Sequence, residues 1–423
     1  MLDINLIREQ PDLVREGMKK KGEGPLDLVD QVLEADRNWR DLVQRVDELR
    51  NESNVKSKKI GELMGSGEKE KAQEIIAETS RLKEAIKEGE EELKELKSAR
   101  DGMLLRIPNV PHESVPVGDS EEDNKVFKSW GEPAREEWRR PHWEMAEEEG
   151  WIDFERGAKV TGAGFPFYVG PLARLQRALV NYFVNKAVEE GYRELQAPYV
   201  VNEDSARGTG QIPDKEDMMY EVPRDELYLI PTAEVPVTNF HRDEIVDEED
   251  LPLRYVAYTP CWRREAGSYG KDVRGLNRLH QFDKVELVKM VHPDAAFDEL
   301  ESLREYAESL LEDLGLSYRT LLMCTGDMGF TQSKKYDLEV WSPGQQRWLE
   351  VSSCSNFGGF QARRMQLRYR RTGDGEIRIL HTLNGSGLAL PRVVAALLEA
   401  GQQEDGSVKL PDALIPYYGK ATL

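Results

Sequence analysis

Two runs of apolar and small side chains, spaced alternately three and four residues apart, limit what the first quarter of this chain can become. Val32, Ala35, Trp39, Leu42, Val46, Leu49 and Ser53 form one run, and Ile75, Thr79, Leu82, Ile86, Gly89, Leu93 and Leu96 form the other. Such spacing keeps one stripe of a helix turned toward a partner helix. Gly65, Ser66 and Gly67 lie between the runs and break the helix. The pattern predicts an antiparallel coiled-coil hairpin turning near residue 66. Each arm of roughly 35 residues reaches about 50 Å at 1.5 Å per residue, so the hairpin is expected to project rather than fold into a compact domain. A dimerisation rod is the alternative use of the same pattern; the glycine-rich turn favours pairing within one chain. Lys56, Lys58 and Lys59 cluster toward the tip. They suit a nucleic-acid backbone, although a solvated helix face is the commoner meaning of such a cluster.

The chain has 423 residues, room for two or three domains. Its formal charge of −21 argues against a generic polyanion binder steered by net charge, while leaving local basic patches open. Cys261, Cys324 and Cys354 are too few and too scattered for a disulfide framework. No Cys-x-x-Cys or His-x-x-x-His pair occurs, so no structural zinc is expected. The N-terminus does not read as a signal peptide, and no run of about 18 apolar residues is present. A soluble, cytoplasmic protein with no membrane partner is expected.

Beyond the hairpin the pattern changes. Residues 1–107 read as a helical domain, with the coiled-coil arm at about 27–100. Residues 108–135, rich in Pro, Gly and acid, read as a linker, since Pro108 cannot continue the helix. In residues 136–423 a helix is predicted over Pro171–Glu190, followed by a strand over 192–201 that contains Pro198, and then a loop over 202–221. A helix over Asp294–Leu314 precedes strands at 317–324, 336–341 and 347–353. A last strand from Leu380 enters a small-residue turn ending at Gly387, and a helix over Leu388–Glu399 follows. This order predicts an α+β fold around an antiparallel sheet flanked by helices. Between these elements, Cys261–Glu286 reads as a strand, a long polar loop with Gly267, Gly270 and Gly275, and a second strand over 279–291. A plain hairpin turns in two to five residues. A longer loop carrying Arg and Lys at intervals suits a phosphate-bearing ligand; a solvated surface hairpin is equally open on composition. Arg392 sits near a helix N-terminus, a poor place for a cation unless an anion binds there.

Three features now coincide: Arg263, Arg264 and Glu265 heading the long loop; Gly385, Ser386 and Gly387 leading to Arg392; and a strand containing Pro198 after a long helix. Together they resemble motifs 2, 3 and 1 of the class II aminoacyl-tRNA synthetases. The words Thr-Ala-Glu at 232–234, Glu-Ala-Gly-Ser at 265–268, Arg-Gly-Leu at 274–276, His-Gln-Phe at 280–282, Glu-Val-Ser-Ser-Cys-Ser-Asn at 350–356, Phe-Gln-Ala-Arg-Arg-Met at 360–365 and His-Thr-Leu-Asn-Gly-Ser-Gly at 381–387 are similar to those of seryl-tRNA synthetases. The arm also resembles the tRNA-binding arm of the bacterial and eukaryotic-type members, and the likeness covers essentially the whole chain.

The resemblance implies a homodimer with a class II catalytic domain built on a six- to seven-stranded antiparallel sheet. It implies activation of serine with ATP to seryl-adenylate and transfer of the seryl group to the 3′ end of tRNA-Ser, with selenocysteine tRNA a second acceptor where it exists. By the same likeness Arg263 and Arg392 would be the catalytic cations, suited by the forked guanidinium to phosphate and carboxylate oxygens. The ATP site would comprise Arg263, Arg264, Glu265, Arg278, Leu279, Phe282, Glu350, Val351, Ser352, Ser353 and Arg392. Serine would meet Thr232, Ala233, Glu234, Arg263, Glu286, Asn384 and Ser386. Glu350 and Ser353 would bind magnesium, a hard cation that takes oxygen ligands. From the residues alone, Phe282 reads more readily as core and Glu350 as a surface charge, while Arg278 reads equally as a solvated loop charge and Glu286 as an exposed strand position. Two rivals remain: a catalytically reduced relative that holds RNA with its arm, and a ligase that loads an amino acid onto a carrier protein. Relatives of the second kind lack the long arm.

Overall fold

The structure, a computed structural model, describes residues 1–265 and 274–423. The expectations that fall on 266–273, including a loop turned by Gly267 and Gly270 over a ligand, lie outside the described residues. The chain forms two compact units, residues 1–19 with 23–108 and residues 20–22 with 109–423.

The first unit begins with α1 (Ile4–Glu9) and α2 (Pro11–Lys21). It continues into α3 (Leu28–Gly65) and α4 (Lys69–Leu104), which pair antiparallel along the predicted stripe. Val32, Val46 and Ser53 are buried from one helix, and Ala72, Thr79 and Gly89 from the other. Gly89 is where the helices close most tightly: a Cβ there would lie 2.6 Å from Val46 Cγ2. Near the base of the hairpin the seam turns ionic. Asp36 is fully buried and accepts from Arg8 Nε and Nη2 (both 2.7 Å), Arg40 Nε (3.0 Å) and Arg100 Nη1 (3.1 Å). The Arg100 guanidinium in turn lies over the Trp39 ring, 4.7 Å from its centroid. Burial opposes ionisation of Asp36, but the Arg8 and Arg40 hydrogen bonds outweigh it and hold its carboxyl below the usual range.

The second unit is built on eight strands: β1 (Lys125–Trp130), β2 (Arg193–Glu194), β3 (Leu253–Trp262), β4 (Gln281–Val291), β5 (Tyr318–Leu322), β6 (Lys334–Ser342), β7 (Arg347–Gly358) and β8 (His381–Ala389). Their order is β1-β5-β6-β7-β8-β4-β3-β2, antiparallel throughout except for the edge pair β3–β2. The sheet is therefore one strand wider than expected, and the extra strand, β1, comes from the stretch read as linker. All six of its residues are exposed, so it carries no buried alternation for a sequence reading to find. The strand expected over 192–201 joins this sheet only at Arg193 and Glu194; the chain leaves it before Pro198, which has no N–H to donate, and Val200–Asn202 pairs instead with Leu227–Leu229 in a small separate sheet. Residues 202–221 are not a simple loop. They include a helix, Glu203–Thr209, capped by the Asn202 side chain, which accepts from Ser205 N–H at 3.0 Å.

Further helices are α5 (His142–Glu148), α6 (Pro171–Glu189), α7 (Glu234–Thr238), α8 (Ala296–Asp313), α9 (Phe360–Met365) and α10 (Leu390–Ala400). Leu172, Leu179 and Phe183 of α6, Leu300, Leu303 and Leu310 of α8, and Val393, Val394 and Leu397 of α10 pack in one core with Val285, Leu287, Leu338, Val340, Val351 and Leu383 of the sheet. A smaller core gathers Ala233 and Val237 with Tyr255, Ala257, Val288 and Met290. Among the described residues no helix is long and apolar enough to cross a membrane.

The base of the arm yields a stability test. Asp36→Ala takes from the buried Arg100 one of its two carboxylates, Asp101 remaining on its Nε and Nη2, while Arg8 and Arg40 can rehydrate. The expected cost is about 2–4 kcal/mol, toward the low end of that for breaking a buried pair. Far-UV circular dichroism of the full chain during thermal unfolding reads it; an unchanged melting profile would show that the cluster contributes nothing.

Candidate active site

The polar face of the central sheet is made by two irregularities in its ladder. In β7, Ser352 pairs with Leu338 and Glu350 with Glu339, leaving Val351 as an extra residue. Side chains alternate along a strand, and one inserted residue reverses the alternation beyond it. Glu350 and Ser353, three apart in sequence, thereby face the same side. In β8 the same device acts: Lys284 pairs with Ala389 and Glu286 with Ser386, two residues of β4 against three of β8. The Gly-Ser-Gly stretch read as a turn is thus a bulged part of the strand, and α10 starts only at Leu390.

Two adjoining cavities open on this face. The first, of about 320 Å³, is lined by Arg263, Glu265, Arg278, Leu279, Phe282, Glu350, Val351, Ser352, Ser353 and Arg392, with Asn277, Lys284 and others. The second, of about 390 Å³, is lined by Thr232, Glu234, Arg263, Glu286, Asn384 and Ser386, together with Lys284, Lys335, Glu350 and Ser353 among others. Arg263, Lys284, Glu350, Ser353 and Ser386 border both, as does Met218. Two sequence candidates fall outside. The Arg264 side chain is exposed and lines neither cavity; its backbone N–H donates to the Met218 carbonyl at 2.9 Å. Ala233 is fully buried and its methyl belongs to the smaller core, because the start of α7 turns it away from the cavity.

In the first cavity the basic and acidic candidates hold one another. Arg278 Nη1 donates to Glu265 Oε2 at 2.8 Å. Glu265 itself has φ of 49°, a left-handed conformation uncommon for a residue with a side chain. The Arg263 guanidinium lies over the Phe282 ring, 5.1 Å from its centroid. Arg392, in the first turn of α10, donates from Nε to the Asn277 carbonyl (2.9 Å) and from Nη1 to the Glu350 carbonyl (2.7 Å). Its position sets a cation against the positive end of a helix, a cost that an anion would relieve. Crowding by protein works against ionisation of Glu350, but Arg392, Lys335, Arg263 and Lys284 outweigh it and hold the carboxyl below the ordinary range.

The second cavity carries buried carboxylates. Thr232 Oγ1 donates to Glu286 Oε2 at 2.9 Å and accepts from Lys284 Nζ at 2.7 Å, while Lys284 also pairs with Glu286. Glu234 Oε1 accepts from Gln361 Nε2 at 2.6 Å. Gln361 is fixed in turn by Thr382 Oγ1, which donates to its Oε1 at 2.7 Å. Burial first, and the neighbouring Glu286 carboxylate second, push the Glu234 carboxyl up to about 7.

Glu350 and Ser353 supply a carboxylate and a hydroxyl on one side of the sheet. Beside them Asp337 accepts from the Ser353 hydroxyl, and its Oδ1 is buried with no partner. Such oxygen donors fit a hard divalent cation that completes its shell with phosphate oxygens and water. Among the described residues no cluster of three His, Cys, Asp or Glu side chains is placed to hold a metal by itself.

Sequence reasoning missed Lys284, Lys335, Asp337 and Gln361, and it missed a buried support behind Arg278. His142 and Glu399 are both fully buried. His142 Nδ1 donates to Glu399 Oε1 (2.8 Å), and its Nε2 accepts from Leu276 N–H (2.8 Å). Glu399 also accepts from Gly344 N–H (3.0 Å), Gln345 Nε2 (3.1 Å) and the Ser342 hydroxyl. Gly275 is required here: a Cβ would lie 2.3 Å from His142 Nε2. The readable hint was Glu399 itself, a lone acid near the end of a helix that is apolar beyond Arg392.

Comparison with known proteins bears on this geometry. Residues 1–111 match the family model described as the seryl-tRNA synthetase N-terminal domain, and residues 219–401 match the tRNA synthetase class II core domain (G, H, P, S and T). The serine--tRNA ligase of Salinibacter ruber is 57% identical over 424 aligned residues, covering 100% of this chain and 99% of that protein. Among solved structures, seryl-tRNA synthetase from Pyrococcus horikoshii complexed with ATP superposes with a TM-score of 0.94 at 38% identity, over 100% of this chain and 99% of that one. The cytoplasmic serine-tRNA ligase of Naegleria fowleri in complex with AMP gives 0.88 at 29% identity, over 100% and 98%. With both family models matched and this identity sustained along its full length, the chain belongs to the seryl-tRNA synthetase family of class II aminoacyl-tRNA synthetases.

Proposed function

We propose that this chain is an ATP-dependent serine--tRNA ligase whose two adjoining cavities take ATP and serine. One observation carries the assignment of the site: Arg263 lines both cavities. Activation joins the serine carboxylate to the ATP α-phosphorus and releases pyrophosphate; a guanidinium at the border can donate to both reacting groups at once. The seryl group then passes to a hydroxyl of the terminal ribose of tRNA-Ser, releasing AMP.

In the first cavity, Glu265 accepts from the adenine amino group, Phe282 packs on the ring, and Arg278 and Arg392 hold phosphate oxygens. In the second, Glu286 and Ser386 bind the serine hydroxyl, and Thr232 with Glu234 holds the ammonium group. Glu350 and Ser353 are the residues that would hold magnesium, which supplies charge neutralisation at the phosphates. The arm of α3 and α4 binds tRNA by shape and backbone, since A-form grooves hide base edges; selenocysteine tRNA would be a second acceptor where it exists. The exposed apolar side chains Val188, Tyr199 and Val200 support assembly as a homodimer. The free thiols of Cys261, Cys324 and Cys354 fit a cytoplasmic, reducing location.

Serine-dependent exchange of pyrophosphate into ATP tests the assignment, with wild-type protein active and alanine a poor substitute. Arg263→Ala is expected to lower kcat/KM by about 10²–10³-fold, the loss typical of one transition-state donor; a full-rate variant would remove Arg263 from the reaction.

Deleting the hairpin while keeping the second unit is expected to abolish tRNA charging and leave the exchange reaction intact. Full charging by the truncated protein would refute the role of the arm.

A third outcome concerns pH. The ammonium group needs Glu234 ionised, and its carboxyl lies at about 7. kcat/KM for serine should therefore fall as pH drops through 7, while KM for ATP stays level. Glu234→Gln should be impaired throughout and lose that limb of the profile.

A further inference from the structure

Lys284 has no part in the assignment above, yet its position is unusual. It is 6% exposed, on a strand, and lines both cavities. A lysine so buried is kept only where its ammonium group is matched. Its two partners belong to the second cavity: Thr232 Oγ1 at 2.7 Å and the Glu286 carboxylate. Thr232 donates its own hydrogen onward to Glu286 Oε2 at 2.9 Å. The three groups close a triangle in which every polar atom has a direction. The Thr232 hydroxyl gives its hydrogen to Glu286, because its other two neighbours, Lys284 Nζ and the Glu234 backbone N–H at 3.3 Å, are both donors.

We propose that Lys284 is a positioning residue for recognition of the substrate hydroxyl, holding Glu286 as a compensated, fixed acceptor. The proposal rests on the reading of the second cavity as the serine site. Four acids line that cavity, Asp214, Glu234, Glu286 and Glu350, and of these Glu234 and Glu286 repel each other. Of that pair, among the described residues, Glu286 is the one held by a lysine. Without Lys284 the two carboxylates share one poorly hydrated space, and one acid must take up a proton or swing away. A protonated or displaced Glu286 loses its value as an acceptor for a hydroxyl. Such acceptors give a site its power to refuse an analogue that lacks the hydroxyl, since the unpaired polar group is then left buried.

The test is pyrophosphate exchange with serine and with alanine, on wild type, Lys284→Met, Lys284→Arg, Glu286→Gln and the double variant Lys284→Met/Glu286→Gln. Wild type must exchange with serine; if it does not, the function itself is wrong. Given that activity, Lys284→Met should raise KM for serine on the order of tenfold to a hundredfold and narrow the preference over alanine by a similar factor, leaving KM for ATP unchanged. Lys284→Arg should recover part of the loss. In the Glu286→Gln background, adding Lys284→Met should cost nothing further, and this comparison stands even if Lys284→Met alone folds poorly, because the double variant buries no unpaired charge. The proposal is overturned if Lys284→Met keeps its serine KM and its discrimination. It is equally overturned if only kcat falls, which would make Lys284 a direct participant, or if the two losses add in the double variant.

Discussion

The polar face of the central sheet depends on two extra residues, one in β7 and one in β8. A regular ladder would turn Glu350 and Ser353 to opposite sides, and Ser386 and Ala389 likewise. With the bulges, one side of the sheet keeps a largely apolar surface for α6, α8 and α10, crossed by polar links to α8 such as Lys289–Glu299, while the other gathers carboxylates, hydroxyls and guanidinium groups. The separation also explains why β4 changes character along its length. Lys284 and Glu286 are polar where the cleft covers them, whereas Val288 and Met290, on the same side of the strand, are apolar where α7 and Tyr255 cover them.

The cleft is also an exercise in charge balance. Arg263, Arg392, Lys284 and Lys335 surround Glu350 and lower its carboxyl; Lys284 and Lys335 are paired with Glu286 and Asp337, while Arg263 and Arg392 are at hand for a phosphate or carboxylate oxygen. The cationic groups are anchored from behind by backbone carbonyls: Asn277 and Glu350 for Arg392, Pro231 for Arg263. Carbonyls orient a guanidinium without neutralising it, and Arg392 has in addition the Glu350 carboxylate 3.6 Å from its Nη1. The His142–Glu399 pair extends this support, fixing the backbone at Leu276 and thus the segment that carries Arg278.

Much of this was legible before any coordinates. The heptad runs marked the buried stripe of α3 and α4, and the family words marked many of the residues around the cleft, though not Lys284 or Lys335. What was not legible has common physical causes. Arg264 and Ala233 stand inside matching words, but successive side chains leave a strand or a helical turn in different directions, so adjacency in a motif does not mean adjacency in a site. Residues 384–387 look like a turn because they are small. They are small because neighbouring chains approach closely: a Cβ on Gly385 would lie 2.9 Å from Leu303 Cγ. Strand β1 has no buried side to betray it. The partnership of His142 with Glu399 spans 257 positions, and no local pattern encodes a contact at that range.

The arm's two local departures from a plain apolar seam have a consequence for its register. Slide α4 past α3 by one heptad and Val46, which now meets Gly89, would face Leu82 or Leu96, neither of which leaves room for it. The same slide would take Asp36 from Arg100 and set it against Leu93 or Ile107. A seam of identical leucines would tolerate such slippage; this one admits a single alignment. The hairpin is therefore a ruler with fixed graduation, and the span from Asp36 to the turn at Gly67 cannot be altered by sliding, only by insertion or deletion of residues.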